Sequence, residues 1–153
     1  MNPSTDAIET ILVPVDFSDV SDLVVDTAKR YARAFGSRII MLHICEPEPD
    51  FIGYEPGPIV VRENMADAMR RDQKTLDELK AKYEEPDLEL KAIQIQGPAV
   101  EKIVSEASRQ KAGLVVMGSH GHGSIYNLLV GSVTEGVLKH VPCPVLIVPT
   151  EHL

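Results

Sequence analysis

Hydrophobic positions along the chain follow two rhythms that alternate. Ile11-Leu-Val-Pro-Val15, Arg38-Ile-Ile-Met-Leu-His-Ile44, Gly113-Leu-Val-Val-Met117 and Val145-Leu-Ile-Val148 are apolar on nearly every position. Runs of this kind predict strands, and the second, apolar on both faces apart from His43, predicts a parallel sheet covered by helices. Leu88-Glu-Leu-Lys-Ala-Ile-Gln-Ile95 alternates apolar with polar, as an edge strand with one solvated face would. Between these runs the apolar residues fall at helical spacing. Val24, Ala28, Tyr31 and Phe35 mark a first helix, which Ser18 or Asp19 would cap and Gly36 would stop. Met65, Met69, Leu76, Leu79 and Tyr83 mark a long charged helix from about Val61 to Tyr83, ended by Pro86. Val100, Ile103, Val104 and Ala107 mark a third, with Pro98 in its first turn. Ser132-Val-Thr-Glu135 has the capping-box pattern ahead of Val137 and Leu138, and Pro142-Cys-Pro144 closes that last helix.

Strand and helix thus alternate four times before a final strand. The chain reads as one α/β domain over residues 1–153, with its core at about 9–150: an open five-stranded parallel sheet, helices on both faces, Rossmann-like, with right-handed crossovers. Pro14 lacks a ladder donor, so pairing of the first strand should stop there. Strand order decides where a ligand sits. In the order 3-2-1-4-5 the winding reverses between strands 1 and 4, and their carboxyl ends bring Pro14-Val15-Asp16 opposite Met117-Gly118-Ser119 across one crevice. A flavodoxin-like 2-1-3-4-5 order would separate those groups. Residues 46–58 hold four of the eleven prolines and read as a surface loop just past the second strand.

Composition narrows the function. The 153 residues are 44% hydrophobic, enough for a real core, and only 5% aromatic without Trp, so that core is aliphatic. A net charge of −8 argues against nucleic acid or an anionic membrane as the main partner. No run has the length of a membrane span, and the polar N-terminus has no signal-peptide pattern, which predicts a cytoplasmic protein. Cys45 and Cys143 lack metal-type spacing, so two free thiols are expected, with a disulfide as the alternative.

The chemistry concentrates after the fourth strand. Gly118, Gly121 and Gly123 fall within six positions, and Gly131-Ser132 opens the last helix. Isolated glycines usually mean a flexible connection. Here they lie beside a helix N-terminus rich in N–H donors, which is what a phosphate site requires. A Cβ at Gly121 or Gly131 would hold the backbone away from phosphate oxygens. Ser119, His120, His122 and Ser124 offer side-chain donors. So do the Ser132 and Thr134 hydroxyls, alongside the N–H groups of Ser132, Val133 and Thr134. Ser132 has a competing role as a helix cap paired with Glu135. No Lys lies in the stretch, so it is not a Walker A loop, and binding would rely on backbone donors and a divalent cation. His120-Gly-His122 has no third ligand for zinc. His43 reads as a satisfied core or edge histidine.

The spacing Gly118-x-x-Gly121, nine residues, then Gly131-Ser132 resembles the nucleotide-binding signature of the universal stress protein family. Ile11-Leu-Val-Pro-Val-Asp16-Phe-Ser18, Leu42-His43-Ile44 and Pro142-Cys-Pro144-Val-Leu-Ile-Val148 are similar to that family's first strand and turn, second strand end and last helix-to-strand turn. The resemblance spans Ile11 to Pro149. It implies the 3-2-1-4-5 order, ATP as ligand, and a homodimer formed by the last strand; the missing Lys makes Mg²⁺ (or Mn²⁺) the expected companion of the ATP. Val145, Leu146, Ile147 and Val148 also give that dimer a physical motive, since an apolar edge strand is a pairing liability unless covered. On this reading Pro14, Val15 and Ile44 wall the adenine and Met117 closes the base pocket. Ordinary core packing is the plainer role for all four. Asp16 would contact the ribose or a water on Mg²⁺, or would only cap the first helix.

Three functions follow as expectations. The favoured one is an ATP-binding regulatory dimer of a stress or metabolic response. The second is a slow ATPase or phosphotransferase at the same site. The third is an interaction module whose nucleotide site is empty or takes AMP or a cyclic nucleotide.

Overall fold

The computed structural model describes residues 7–46, 59–120 and 130–150, with backbone alone for 59–64. The elements are β1 (Thr10–Pro14), α1 (Val20–Phe35), β2 (Arg38–Cys45), α2 (Ile59–Tyr83), β3 (Leu90–Gln96), α3 (Ala99–Arg109), β4 (Leu114–Gly118), α4 (Ser132–His140) and β5 (Val145–Val148). The strands form one parallel sheet in the order β3-β2-β1-β4-β5.

The two-residue period of a strand sorts consecutive apolar residues to opposite faces, and both faces are used. Ile11, Val13, Ile39, Met41, Leu114 and Val116 pack against Val24, Val25, Ala28 and Ala32 of α1 and Leu76 and Tyr83 of α2. Leu12, Ile40, Leu42, Val115 and Met117 pack against Ile103 and Ala107 of α3 and Val137 of α4. The apolar runs of β1, β2 and β4 are therefore central strands between two helical layers. β3 is an edge strand as expected, but its solvated face is only partial. Its alternation slips phase at Ala92-Ile93, so Leu90 and Ala92 join the first core while Ile93 and Ile95 join the second. Gln94 lies under α2 and donates through Nε2 to the Met69 carbonyl at 3.0 Å.

Several local expectations need correction. Asp19 is the N-cap residue of α1 but makes no capping hydrogen bond. Asp16 serves the helix start instead, accepting from the Ser18 N–H at 3.0 Å and the Ser21 hydroxyl at 3.3 Å. Pro98 is the extended N-cap residue of α3 rather than part of its first turn. The capping box on α4 does not form. Gly131 is the N-cap, Ser132 is already helical, and Glu135 pairs forward with Lys139 at 3.0 Å. Gly36 ends α1 in the left-handed conformation, φ 69°, as predicted. Both cysteines are free.

Pro14 ends pairing on one side only. The Val15 N–H donates to the Leu42 carbonyl at 2.9 Å, so β1 stays paired with β2 past the proline. Donor directions alternate along a strand, which turns the Pro14 nitrogen toward β4. There the missing N–H matters: the β1·β4 register stops at Leu12↔Val115, while β4·β5 continues to Gly118↔Val148. Beyond that point β1 and β4 are no longer laced together.

Three carboxylates give the fold an acid limit. Hydrogen bonds from Lys82 and Tyr83 hold the Asp22 carboxyl below the usual carboxylate range. Lys29 and Arg33 do the same for Glu85, and Arg109 does so for Glu106. Each group is more acidic folded than unfolded. Its contribution is fully present above the ordinary carboxylate range and is lost as pH falls through the lowered value. The melting temperature is expected to be level from neutrality to about pH 5 and to fall below about pH 4. Scanning calorimetry in that range checks this, and an undiminished value at about pH 3 contradicts it.

Candidate functional site

Where β1 and β4 part, a cavity of about 640 Å³ opens at the carboxyl end of the sheet. It is a winding-reversal crevice of the kind that takes ligands in open α/β sheets. One wall comes from the ends of β1 and β2: Pro14, Val15, Asp16, Leu42, His43, Ile44 and Glu46. The opposite wall is Met117, Gly118 and His120 from the end of β4, with Gly131, Ser132, Val133 and Thr134 from the start of α4. Val20, Ser21 and Val24 of α1 and Ala99 and Ile103 of α3 complete the lining.

Of the residues singled out in the sequence, Pro14, Val15, Asp16, Ile44, Met117, Gly118, His120, Gly131, Ser132, Val133 and Thr134 meet at this cavity. Ser119 is buried and does not line it; its hydroxyl accepts the Thr150 N–H at 3.0 Å. Gly121, His122, Gly123 and Ser124 lie outside the described residues. Sequence reasoning missed Leu42, Glu46, Val20, Ser21, Val24, Ala99 and Ile103 as lining residues and read His43 as structural. Val20 and Val24 are one helical turn apart, so the apolar stripe of α1 carried a usable signal.

The α4 wall is built from backbone. Gly131 is extended, φ −68° and ψ 164°, and α4 begins directly after it. The first N–H groups of a helix have no intrahelical partner, and the helix dipole is positive there. The Thr134 hydroxyl does not point its donor at a ligand: it donates to the Gly118 carbonyl at 2.9 Å and pins α4 to the end of β4. The Gly131 N–H donates to the Ser119 carbonyl at 2.7 Å, a second pin.

The opposite wall is held by His43. It is buried, with Nδ1 3.0 Å from the Val15 carbonyl oxygen and Nε2 3.1 Å from Asp72 on α2. The Phe17 ring stacks on it at 4.0 Å, on a residue whose φ of 62° turns the chain sharply after Asp16. Burial, and then the Asp72 carboxylate, push the nearby Cys45 thiol up, so it stays protonated. Glu46 accepts the Ala99 N–H at 3.0 Å and so sits at the start of α3.

Among the described residues lining the cavity there is no Lys or Arg. No group of three or more His, Cys, Asp or Glu among them could hold a metal ion by itself. No described helix is long and apolar enough to cross a membrane.

Comparison with known proteins agrees with this architecture. A universal stress protein from Thermus aquaticus is 36% identical over 140 residues, covering 92% of this chain and 98% of its own. The solved structure of protein MJ0577, a universal stress protein of Methanocaldococcus jannaschii, superposes with a TM-score of 0.82 at 25% identity, covering 95% of this chain and 99% of its own. A universal stress protein solved in complex with cAMP superposes with a TM-score of 0.59 at 25% identity, covering 93% and 97%. The model of the universal stress protein family matches residues 7–149, the span from the start of β1 to the end of β5. With that match over nearly the whole sheet and its helices, the chain belongs to the universal stress protein family.

Proposed function

We propose that this chain binds ATP with Mg²⁺ (or Mn²⁺) in the β1/β4 cleft and acts as a homodimer whose nucleotide state regulates a stress response. The observation that carries the reading is the cleft itself. An apolar slot between Val15, Ile44 and Met117 leads to the backbone donors at the start of α4, beside the bare Gly131, with Asp16 across the gap. The slot suits an adenine ring and the wall suits phosphates. The cAMP complex of a relative supports an adenine nucleotide as the class of ligand.

Holding the nucleotide fits better than spending it. Among the described titratable groups at the cavity, Asp16 is engaged by Ser18 and Ser21, His43 by Val15 and Asp72, Glu46 by Ala99, and His120 by Ser119. Each already has a structural partner. Titration of the full chain with ATP in the presence of Mg²⁺ is expected to show saturable binding. A wild-type protein that takes up no heat and no nucleotide would overturn the reading.

The cation has its own test. With Asp16 and Glu46 on the cavity and no described Lys or Arg there, the triphosphate needs an external positive charge. Removing Mg²⁺ with a chelator is expected to weaken ATP binding by about tenfold or more and adenosine binding hardly at all. Equal affinities with and without the metal contradict this.

The dimer follows from β5. Val115 donates to the Pro144 carbonyl and Ser119 to the Val148 carbonyl, so alternation turns the N–H and C=O groups of Val145 and Ile147 to the open edge. Pairing of two copies there satisfies them. Ile147→Pro removes one of those outward donors and leaves the bonds to β4 in place. Light scattering at micromolar concentration is expected to give a dimer for the wild type and a monomer for this variant. A monomeric wild type overturns the assignment.

A further inference from the structure

The phosphate wall is fastened from behind by a residue that follows β5. Thr150 is buried, 2% exposed, yet it is polar and does not line the cavity. Its hydroxyl accepts the His120 N–H at 3.1 Å and donates to the His120 carbonyl at 3.2 Å. Its own N–H donates to the Ser119 hydroxyl at 3.0 Å, and the two hydroxyls lie 3.1 Å apart. The Ser119 hydroxyl is in turn 3.1 Å from His120 Nδ1. One threonine thus holds the main chain of His120 and the side chain of Ser119, and through Ser119 the His120 ring.

From the other side, Gly131 donates to the Ser119 carbonyl and Thr134 to the Gly118 carbonyl. The segment Gly118–Ser119–His120 is therefore clamped between the end of β5 and the start of α4. The clamp also explains the glycine. A Cβ on Gly118 would come within 3.1 Å of the Thr150 methyl and 3.4 Å of the His120 carbonyl oxygen. A side chain there would press on the Thr150 methyl, which would have to give by a few tenths of an ångström.

We infer that Thr150 is a positioning residue for the phosphate subsite. It fixes Ser119 and His120 so that the end of β4 presents a rigid wall to the phosphates of a bound nucleotide. It does not touch the ligand. The inference rests on the reading of the cleft as an ATP site and adds the residue that sets its affinity for the phosphates. Burying three polar groups in one fully paired knot is costly to disturb, because each orphaned partner loses its hydrogen bond in a place water does not reach. The Val15 side of the adenine slot, by contrast, is held by His43, across the cleft from the knot.

The test compares ATP and adenosine on the full chain. Thr150→Val keeps the shape and removes the hydroxyl; Thr150→Ser keeps the hydroxyl. Thr150→Val is expected to weaken ATP binding by about tenfold and adenosine binding by less than about twofold. Thr150→Ser is expected to restore ATP affinity to within about threefold of the wild type. Gly118→Ala, which pushes on the same methyl, is expected to move ATP affinity in the same direction as Thr150→Val. A second readout needs no ligand: the His120 amide should exchange with solvent faster in Thr150→Val than in the wild type or Thr150→Ser. ATP affinity unchanged in Thr150→Val, equal loss for ATP and adenosine, or no change in His120 exchange each overturns the inference. A wild type that binds no ATP overturns the underlying functional reading as well, and is told apart by the wild-type titration alone.

Discussion

Gly131→Val is expected to weaken ATP binding by about a hundredfold while leaving the protein folded. The backbone of Gly131 is extended, at φ −68° and ψ 164°, a conformation any residue adopts, so valine introduces no strain there. The Gly131 N–H keeps its bond to the Ser119 carbonyl, because valine has the same donor. What changes is volume. Three carbon atoms would stand at the cavity wall, directly before the first N–H groups of α4, which have no partner within the helix. Phosphate oxygens would be held away from those N–H groups. Two lost charge-assisted hydrogen bonds, at about 1.5 kcal/mol each, correspond to roughly a hundredfold. Gly131→Ala should fall between the two. Calorimetric titration reads the affinity and thermal unfolding confirms the fold. A valine variant that binds like the wild type would place the phosphates elsewhere.

The sheet was legible because its signals are redundant. Consecutive apolar residues in β1, β2 and β4 demand burial on both faces, and only two helical layers supply it. The cleft was legible for a related reason: strand order 3-2-1-4-5 brings two chain segments together whatever their side chains do. The failures are of another kind. The Ser132–Glu135 capping box is a local pattern, but Gly131 takes the N-cap position and Thr134 is tied to Gly118 across the fold. The alternation of β3 predicted one wet face, and the one-residue phase slip at Ala92-Ile93 hands residues to both cores. Ser119 looked like a phosphate ligand by its place among glycines. Its partner, Thr150, is 31 positions away and carries no motif. Hydrogen bonds between distant segments leave no period in a sequence, so the residues that hold a site are harder to read than those that line it. Pro14 falls between the two. Its missing donor was visible, but the side of the strand it affects depends on the phase of the ladder.

His43→Leu is expected to destabilise the protein by about 3 kcal/mol and to loosen the Val15 wall of the cleft. Leucine matches the strand and would satisfy a purely apolar core, so the prediction depends on the two polar partners. One is the Val15 carbonyl oxygen, an obligate acceptor 3.0 Å from Nδ1, so that nitrogen carries hydrogen. The other is the Asp72 carboxylate, 3.1 Å from Nε2 and about a third exposed. Removing the imidazole orphans the first in a buried place and leaves the second charged over an apolar residue. The stacking of Phe17 on the ring is lost as well, and with it part of what holds the turn after Asp16. Asp72→Asn is the milder change, because the side-chain amide carries both a donor and an acceptor and so keeps a hydrogen bond to Nε2; about 1 kcal/mol is expected. If the two residues act through one hydrogen bond, the double variant costs less than the sum of the singles. Strict additivity would separate Asp72 from the site and leave His43 tied to Val15 alone. Denaturant unfolding measures all four proteins, and adenosine titration of each reports whether the wall moved with the stability.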